Sequence, residues 1–392
     1  MDKKHIIQSL ITALVLLLIT TGLFLYTSGY RLSKPTTETG NQQIQVRRTG
    51  MIGAKSIPEG ANVYLNGKLI TATDDTISNL RPQEKYELTI RKSGFVEWKK
   101  EIEVFPELVT DITAVLVSMT PRLEPLTNTG AAHPSMAPSL SKIAFFSTDT
   151  ETPGIWIIPL VNAGLDLFKS NANNILEDTL YNQFSKGTAI EWSPDEKQLL
   201  ITVPENDVDT YYIVDIEGNT AESTESPEIL KKSWLEKEIK IRTDVIKAID
   251  LPSDIKQIAL REDSLWSPDN KKFLYRLRKN GMIEYRVYNM EKPIPVGEKT
   301  QTLVFSTNIT NTQPKIAWYA DSYHLILTEG DIAGTKRGKI SLVRIDGTNK
   351  TEIYSNSLHS DQVFSSPGGE KLIISTSFTS DDQTNLYTLG IR

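Results

Sequence analysis

Four histidines, two aspartates in matching contexts and a few acidic pairs are the residues of this chain whose types could support chemistry. His5, His133, His324 and His359 are far apart, and none stands in an HExxH spacing. No metal triad is expected from them. The chain has no cysteine, which removes thiol nucleophiles, thiolate metal sites, disulfides and a lipid-modified cysteine together. GxSxG, P-loop and GxGxxG patterns are absent, so serine hydrolysis and nucleotide binding lose their usual frameworks. Asp195 and Asp269 could pass for paired catalytic carboxylates, but each is the fourth residue of a Trp-Ser-Pro-Asp motif and reads as a turn residue. Asp207, Asp209 and Asp381-Asp382 offer hard oxygen ligands suited to calcium. Without EF-hand spacing they read as solvated loops. Trp156, Trp192, Trp266 and Trp318 suggest a carbohydrate platform, yet the repeated position that Trp192 and Trp266 share points to packing between repeats. Trp98, near Phe95, and Trp234 are the better surface candidates. No catalytic, cofactor or metal residue is expected, and the sequence identifies no binding residue.

Those residues have to be positioned by something, and composition bounds what. The 392 residues carry a formal charge of -6, which provides no basic field for a phosphate backbone. Nucleic acid is not an expected partner. Ile6 to Tyr26 reads IIQSLITALVLLLITTGLFLY, and no charged residue occurs from Ile6 through Tyr30. A helix of that length matches the roughly 30 Å hydrocarbon core of a bilayer. It is expected to be a retained, single membrane-spanning helix, because a secretory signal would have a shorter apolar region and a small-x-small cleavage site. Lys3 and Lys4 precede the span while Arg31 and Lys34 follow it, so the charge rule alone is nearly balanced.

Residues 31–48 are polar and lack an apolar period, as a tether would. A strand-rich unit is expected over 49–118. Asn66-Gly67 between two short apolar runs predicts a type I′ hairpin. Tyr86, Leu88 and Ile90 alternate with Glu87, Thr89 and Arg91, as a half-buried strand requires. Ile57-Pro58-Glu59-Gly60-Ala61, the Asn66-Gly67 turn and Lys92-Ser93-Gly94-Phe95 together resemble a PEGA domain. The resemblance implies a small β-sandwich of envelope or surface proteins, with no catalytic residues to carry over.

The remaining two thirds hold five copies of a ten-residue window, starting at Met136, Trp192, Trp266, Trp318 and Ser365 and spaced 56, 74, 52 and 47 residues apart. Pro fills the third position in four of them, Ala320 being the exception, and an apolar residue fills the eighth in all. A strand, a tight turn and an antiparallel return strand fit that pattern. The WSPD windows resemble the WD40-like repeats of TolB-type β-propellers, over about residues 121–392. The long second interval contains an insertion at about 225–260 whose apolar residues follow helical spacing. It is expected to decorate the propeller between its second and third blades. The chain ends one strand short in the fifth repeat, and residues 121–127 are the expected donor of the missing strand.

The fold expected is therefore mainly β: a transmembrane helix within residues 1–30, a tether over 31–48, a PEGA-like β-sandwich over 49–118, and a propeller with a helical insertion over 119–392. Five blades are expected, with six as the alternative. The function expected is that of a non-enzymatic protein held in the cell membrane, presenting both modules outside the cytoplasm to protein or cell-wall glycan partners. A propeller enzyme acting on polysaccharide or peptide is the alternative. The PEGA and TolB resemblances favour the exported orientation.

Overall fold

From Ile6 onward the apolar stretch has to bond its own backbone, and Lys3–Thr27 forms α1, a helix of 25 residues. The computed structural model describes residues 3–27, 30–33, 45–160, 172–205, 208–378 and 383–392. Among the described residues no helix is long and apolar enough to cross a membrane. The span expected at Ile6–Tyr26 is thus not borne out. Leu10, Leu17, Leu18 and Phe24 are exposed on that helix.

At the ends of the expected tether, β1 (Tyr30–Ser33) and β2 (Gln45–Arg48) pair antiparallel with Leu32 opposite Val46. Two short extended runs bonded to each other satisfy backbone groups that a free tether would leave to water.

Two units follow from the chain's contacts: Met1–Leu116 with Lys292–Glu298, and Val117–Glu291 with Lys299–Arg392. In the first, β3 (Gly50–Ile57), β4 (Asn62–Leu65), β5 (Lys68–Ala72), β6 (Asp75–Leu80), β7 (Lys85–Arg91), β8 (Trp98–Glu103) and β9 (Val109–Val115) make two sheets. Their orders are β6-β3-β9, with β3 and β9 parallel, and β5-β4-β7-β8. Period-two alternation sends Val63, Leu65, Tyr86, Leu88 and Ile90 into one core with Ile52, Ala54 and Ile112. Asn66 and Gly67 both have positive φ, 48° and 78°, as the type I′ hairpin demands. The Asn66 side chain also accepts the Glu87 N–H at 2.9 Å, locking the turn to β7.

Among the described residues the second unit contains five four-stranded antiparallel sheets. The first is β11 (Ala132–Met136), β12 (Lys142–Ser147), β13 (Gly154–Pro159) and β14 (Asn173–Glu177); the second is β15 (Ala189–Trp192), β16 (Gln198–Glu205), β17 (Val208–Asp215) and β18 (Thr220–Thr224). After helices α2 (Pro227–Lys247) and α3 (Ser253–Ala259) comes the third: β19 (Leu265–Trp266), β20 (Lys272–Lys279), β21 (Met282–Asn289) and β22 (Gln301–Asn308). The fourth is β23 (Lys315–Trp318), β24 (His324–Asp331), β25 (Arg337–Arg344) and β26 (Thr351–Ser357), with the short helix α4 (Ile332–Thr335) between β24 and β25. Only β27 (Phe364–Ser365), β28 (Lys371–Thr376) and β29 (Asn385–Gly390) remain for the fifth. Its fourth strand is β10 (Leu123–Pro125), paired antiparallel to β29 with Leu123 opposite Leu389. The expected donor at residues 121–127 therefore completes the last sheet.

Second strands are buried on both faces, and alternation divides their side chains between neighbours. On β12, Ala144 and Phe146 pack with Leu199 and Ile201 of the second sheet, while Ile143 and Phe145 pack with Ile373 and Leu386 of the fifth. On β20, Leu274 packs with Leu325 and Leu327 of the fourth sheet. The opposite face, through Phe273 and Tyr275, packs against Ile246, Leu251, Ile255 and Ala259 of the helical insertion. The insertion is therefore not a decoration. It covers a sheet face that would otherwise expose large aromatic side chains to water.

Candidate functional site

Each of the five windows builds the same turn. The N–H of the second residue donates to the carbonyl of the seventh, as in Ala137–Lys142, Ser193–Gln198, Ser267–Lys272, Tyr319–His324 and Ser366–Lys371, at 2.9–3.0 Å. The N–H of the fifth returns to the carbonyl of the second, and that fifth residue has positive φ every time: Leu140, Glu196, Asn270, Ser322 and Gly369. Where Ser is second, its hydroxyl accepts the N–H of the seventh residue, Gln198 at 3.0 Å, Lys272 at 2.9 Å and Lys371 at 3.1 Å. In the fourth window Tyr319 is second, and Asp321 takes over by accepting from the N–H groups of Tyr323 and His324.

Asp195 and Asp269 are thus held in turns, as their matched contexts predict. Ser193 donates to Asp195 at 2.6 Å, and Ser267 donates to Asp269 at 2.5 Å. The Ser193 hydroxyl holds the Asp195 carboxyl below its ordinary value. Burial alone would push Asp269 up, but the Ser267 hydroxyl, the Lys271 N–H and Lys272 outweigh it and hold that carboxyl below its ordinary value.

The seventh position carries a polar pattern that sequence reading by first, third and eighth positions overlooks. Lys272 is 0% exposed and lies 3.1 Å from Asp269 and 3.0 Å from Glu291. Its ammonium sits 4.1 Å from the centre of the Tyr323 ring, whose hydroxyl donates to Glu291 at 2.8 Å. One sheet later His324, also buried, is 2.7 Å from Asp321. Burial raises Asp321, yet the His324 ring and two N–H donors more than offset it and leave the carboxyl lowered. Tyr319 packs edge-on to His324 and donates to the Gly369 carbonyl of the fifth window, and burial pushes its phenol well up. The readable signal was a basic residue type three residues after an acid, Asp269 to Lys272 and Asp321 to His324. These groups face one another, not solvent, so their chemistry is cohesion between the third, fourth and fifth sheets.

The first-position tryptophans work likewise. Trp192 donates to the Ser135 carbonyl of the preceding sheet at 3.0 Å, and Trp318 to Leu265 at 2.9 Å. Trp266 has no such strand before it and donates to Ala259 at the end of α3, at 2.8 Å. Trp156 donates to Thr152. The surface candidates fail: Trp98 is 2% exposed, in the core of the smaller unit, and Trp234 is 6% exposed. His133, His324 and His359 lie on β11, on β24 and after β26. Among the described residues no group of three or more His, Asp or Glu is placed to hold a metal. Asp207 and Asp381-Asp382 lie outside the described residues, as does the side chain of His5. Asp209 pairs with Pro204 in the β16–β17 hairpin.

In the smaller unit the PEGA letters are explained by bonds to the backbone. Ser56 donates to the Pro58 carbonyl at 2.7 Å, Thr73 accepts the Ala61 N–H at 2.9 Å, and Lys92 reaches the Glu59 carbonyl. Gly60 has φ +73°, and Ala61 is buried.

Two units of β-sheet, the larger made of repeated four-stranded antiparallel sheets, define a mainly β protein. Residues 49–119 match the PEGA domain family, and the chain carries a PEGA domain there. No curated protein matches the chain. Among solved structures, TolB from Acinetobacter baumannii is similar at 15% identity and TM-score 0.26, over 79% of this chain and 61% of that one. The chain thus spans under two thirds of that TolB. An acylaminoacyl peptidase from Pyrococcus horikoshii is similar at 10% identity and TM-score 0.24, over 67% of this chain and 39% of that one. The β-propeller domain of the Trilobed protease from Pyrococcus furiosus gives 14% identity and TM-score 0.21, over 87% and 83%.

Proposed function

We propose that this is a non-enzymatic envelope protein, attached to a membrane by α1, whose PEGA domain and five-bladed propeller present binding surfaces outside the cytoplasm. The observation that carries the reading is the fate of the polar residues in the repeats. Asp195, Asp269, Asp321, Lys272 and His324 are each engaged in a turn or a contact between sheets, so they build a platform and do not converge on a substrate. Function then resides in the exposed loops. Attachment is supported by the helix itself, which exposes large apolar side chains from Leu10 to Tyr26, a surface that is unfavourable in water. Partners of this platform are proteins or cell-wall glycan.

Two measurements test the reading. Protease added to intact cells should cleave the propeller, and the chain should sediment with membranes until detergent is added. Protection of the propeller in intact cells would overturn the location and with it the partner class. Turnover of polysaccharide or peptide by the purified full chain would replace the non-enzymatic reading with that of a propeller enzyme.

A further inference from the structure

The two most exposed large apolar side chains among the described residues stand next to each other. Leu180 is 95% exposed and Tyr181 90%, in the connection from β14 to β15 between the first and second sheets. The turn that displays them is fully built. The Thr179 N–H donates to the Asn182 carbonyl at 2.8 Å, and the Thr179 hydroxyl accepts from the N–H groups of Tyr181 and Asn182. Behind it, Asp178 accepts from the N–H and hydroxyl of Ser185, and Phe184 is buried edge-on to Tyr212. The Tyr212 hydroxyl donates to Glu205 at 2.8 Å and lies 3.3 Å from the Asn182 side chain, which holds the turn beside the β16–β17 hairpin. Apolar side chains held out on a rigid turn lose little freedom when they are covered, which suits them to act as anchors.

Their surroundings are acidic. Glu177 precedes the turn, Asp178 bonds to the Pro153 carbonyl of the loop that carries Asp149 and Glu151, and Glu205 and Asp209 come from the neighbouring hairpin, where Val208 is also exposed. Lys186 is the one cation in the connection 178–188. An acidic border is repelled by anionic headgroups, which disfavours a lipid surface. A two-fold contact between copies would bring the same acidic border against itself.

We propose that Leu180 and Tyr181 are the anchor of a protein-docking site, and that the partner offers an apolar pocket bordered by Lys or Arg. The proposal rests on the binding-platform reading above and names the surface and partner chemistry for it. The test uses the full chain in neutral lipid nanodiscs and a fluorescent amphipathic Lys/Leu helical peptide, read by anisotropy with empty discs subtracted. Binding should weaken with salt, and Leu180→Ser with Tyr181→Ser should lose at least tenfold, about 1.4 kcal/mol, with an unchanged melting temperature. Glu177→Lys should weaken it too, and a Lys/Ser peptide of equal charge should bind no better than the double variant does. Peptide binding that survives the double variant would overturn the proposal. So would no binding of the peptide at all, pair-dependent binding to vesicles of phosphatidylcholine with phosphatidylglycerol, or pair-dependent self-association in sedimentation. None of these failures touches the membrane location or the absence of turnover, which protease accessibility and activity assays read separately.

Discussion

Lys272 is a fully buried ammonium between two carboxylates and over an aromatic ring. Removing one partner of such a group leaves the others charged in a poorly solvated site. Lys272→Met should therefore lower unfolding free energy by about 3 kcal/mol in chemical denaturation, although Met fills nearly the same volume. Acid acts on the same ties. Asp269 and Asp321 have carboxyls held below the ordinary range, so their stabilisation is complete above the unfolded value near 3.9 and is lost as pH falls through the folded values. Melting temperature of the full chain should hold steady down to about pH 4 and drop below it, and Asp321→Asn should flatten that drop. At this scale the sequence showed Pro and Asp but hid the fifth window position. Leu140, Glu196, Asn270, Ser322 and Gly369 share a left-handed backbone and no chemistry, so no composition rule connects them.

Elements were easier to read than their placement. Apolar spacing announced helices near 225–260, and α2 and α3 lie there. Nothing in that spacing showed that their apolar stripe would meet Phe273, Tyr275 and Tyr288 on the back of the third sheet, since a helix's period specifies a buried face and not what buries it. The tryptophans supply the comparison that separates decoration from part of the stack. Trp192, Trp266 and Trp318 each donate to the unit that precedes them, a strand for two and the end of α3 for Trp266. Trp→Phe at each site removes one N–H donor and should cost about 1 kcal/mol. An equal cost at Trp266 and Trp318, measured by denaturation, is expected if the insertion is a structural member of the stack. A negligible cost at Trp266 alone would return it to the status of an appendage.

The larger unit as a whole depends on joining its two ends. β10 precedes the first sheet in sequence yet forms the outer strand of the fifth, and the seam is well bonded. Gly390 N–H donates to Arg122, Leu126 N–H to Leu386, and Ser118 N–H to Ile391, all at 2.7–2.8 Å, and Lys371 pairs with Glu124 at 2.6 Å. Nearby, the Asn385 side chain accepts the Gly130 N–H, and Thr127 accepts the Leu386 N–H. This seam was legible because a three-stranded last repeat leaves an open edge, and open edges are covered in stable proteins. If the seam holds the unit together, its two sides must open together. Native-state hydrogen exchange should give the amides of Leu126 and Gly390 the same opening free energy, close to that of the buried β28 strand, because amides released in one cooperative event share one cost. Leu126→Pro removes the N–H that donates to Leu386 and constrains the strand, and it should lower protection at Gly390 while leaving β16 and β17 of the second sheet protected. Fast exchange at Leu126 beside slow exchange at Gly390 would mean that β10 merely lies along an edge that is stable without it.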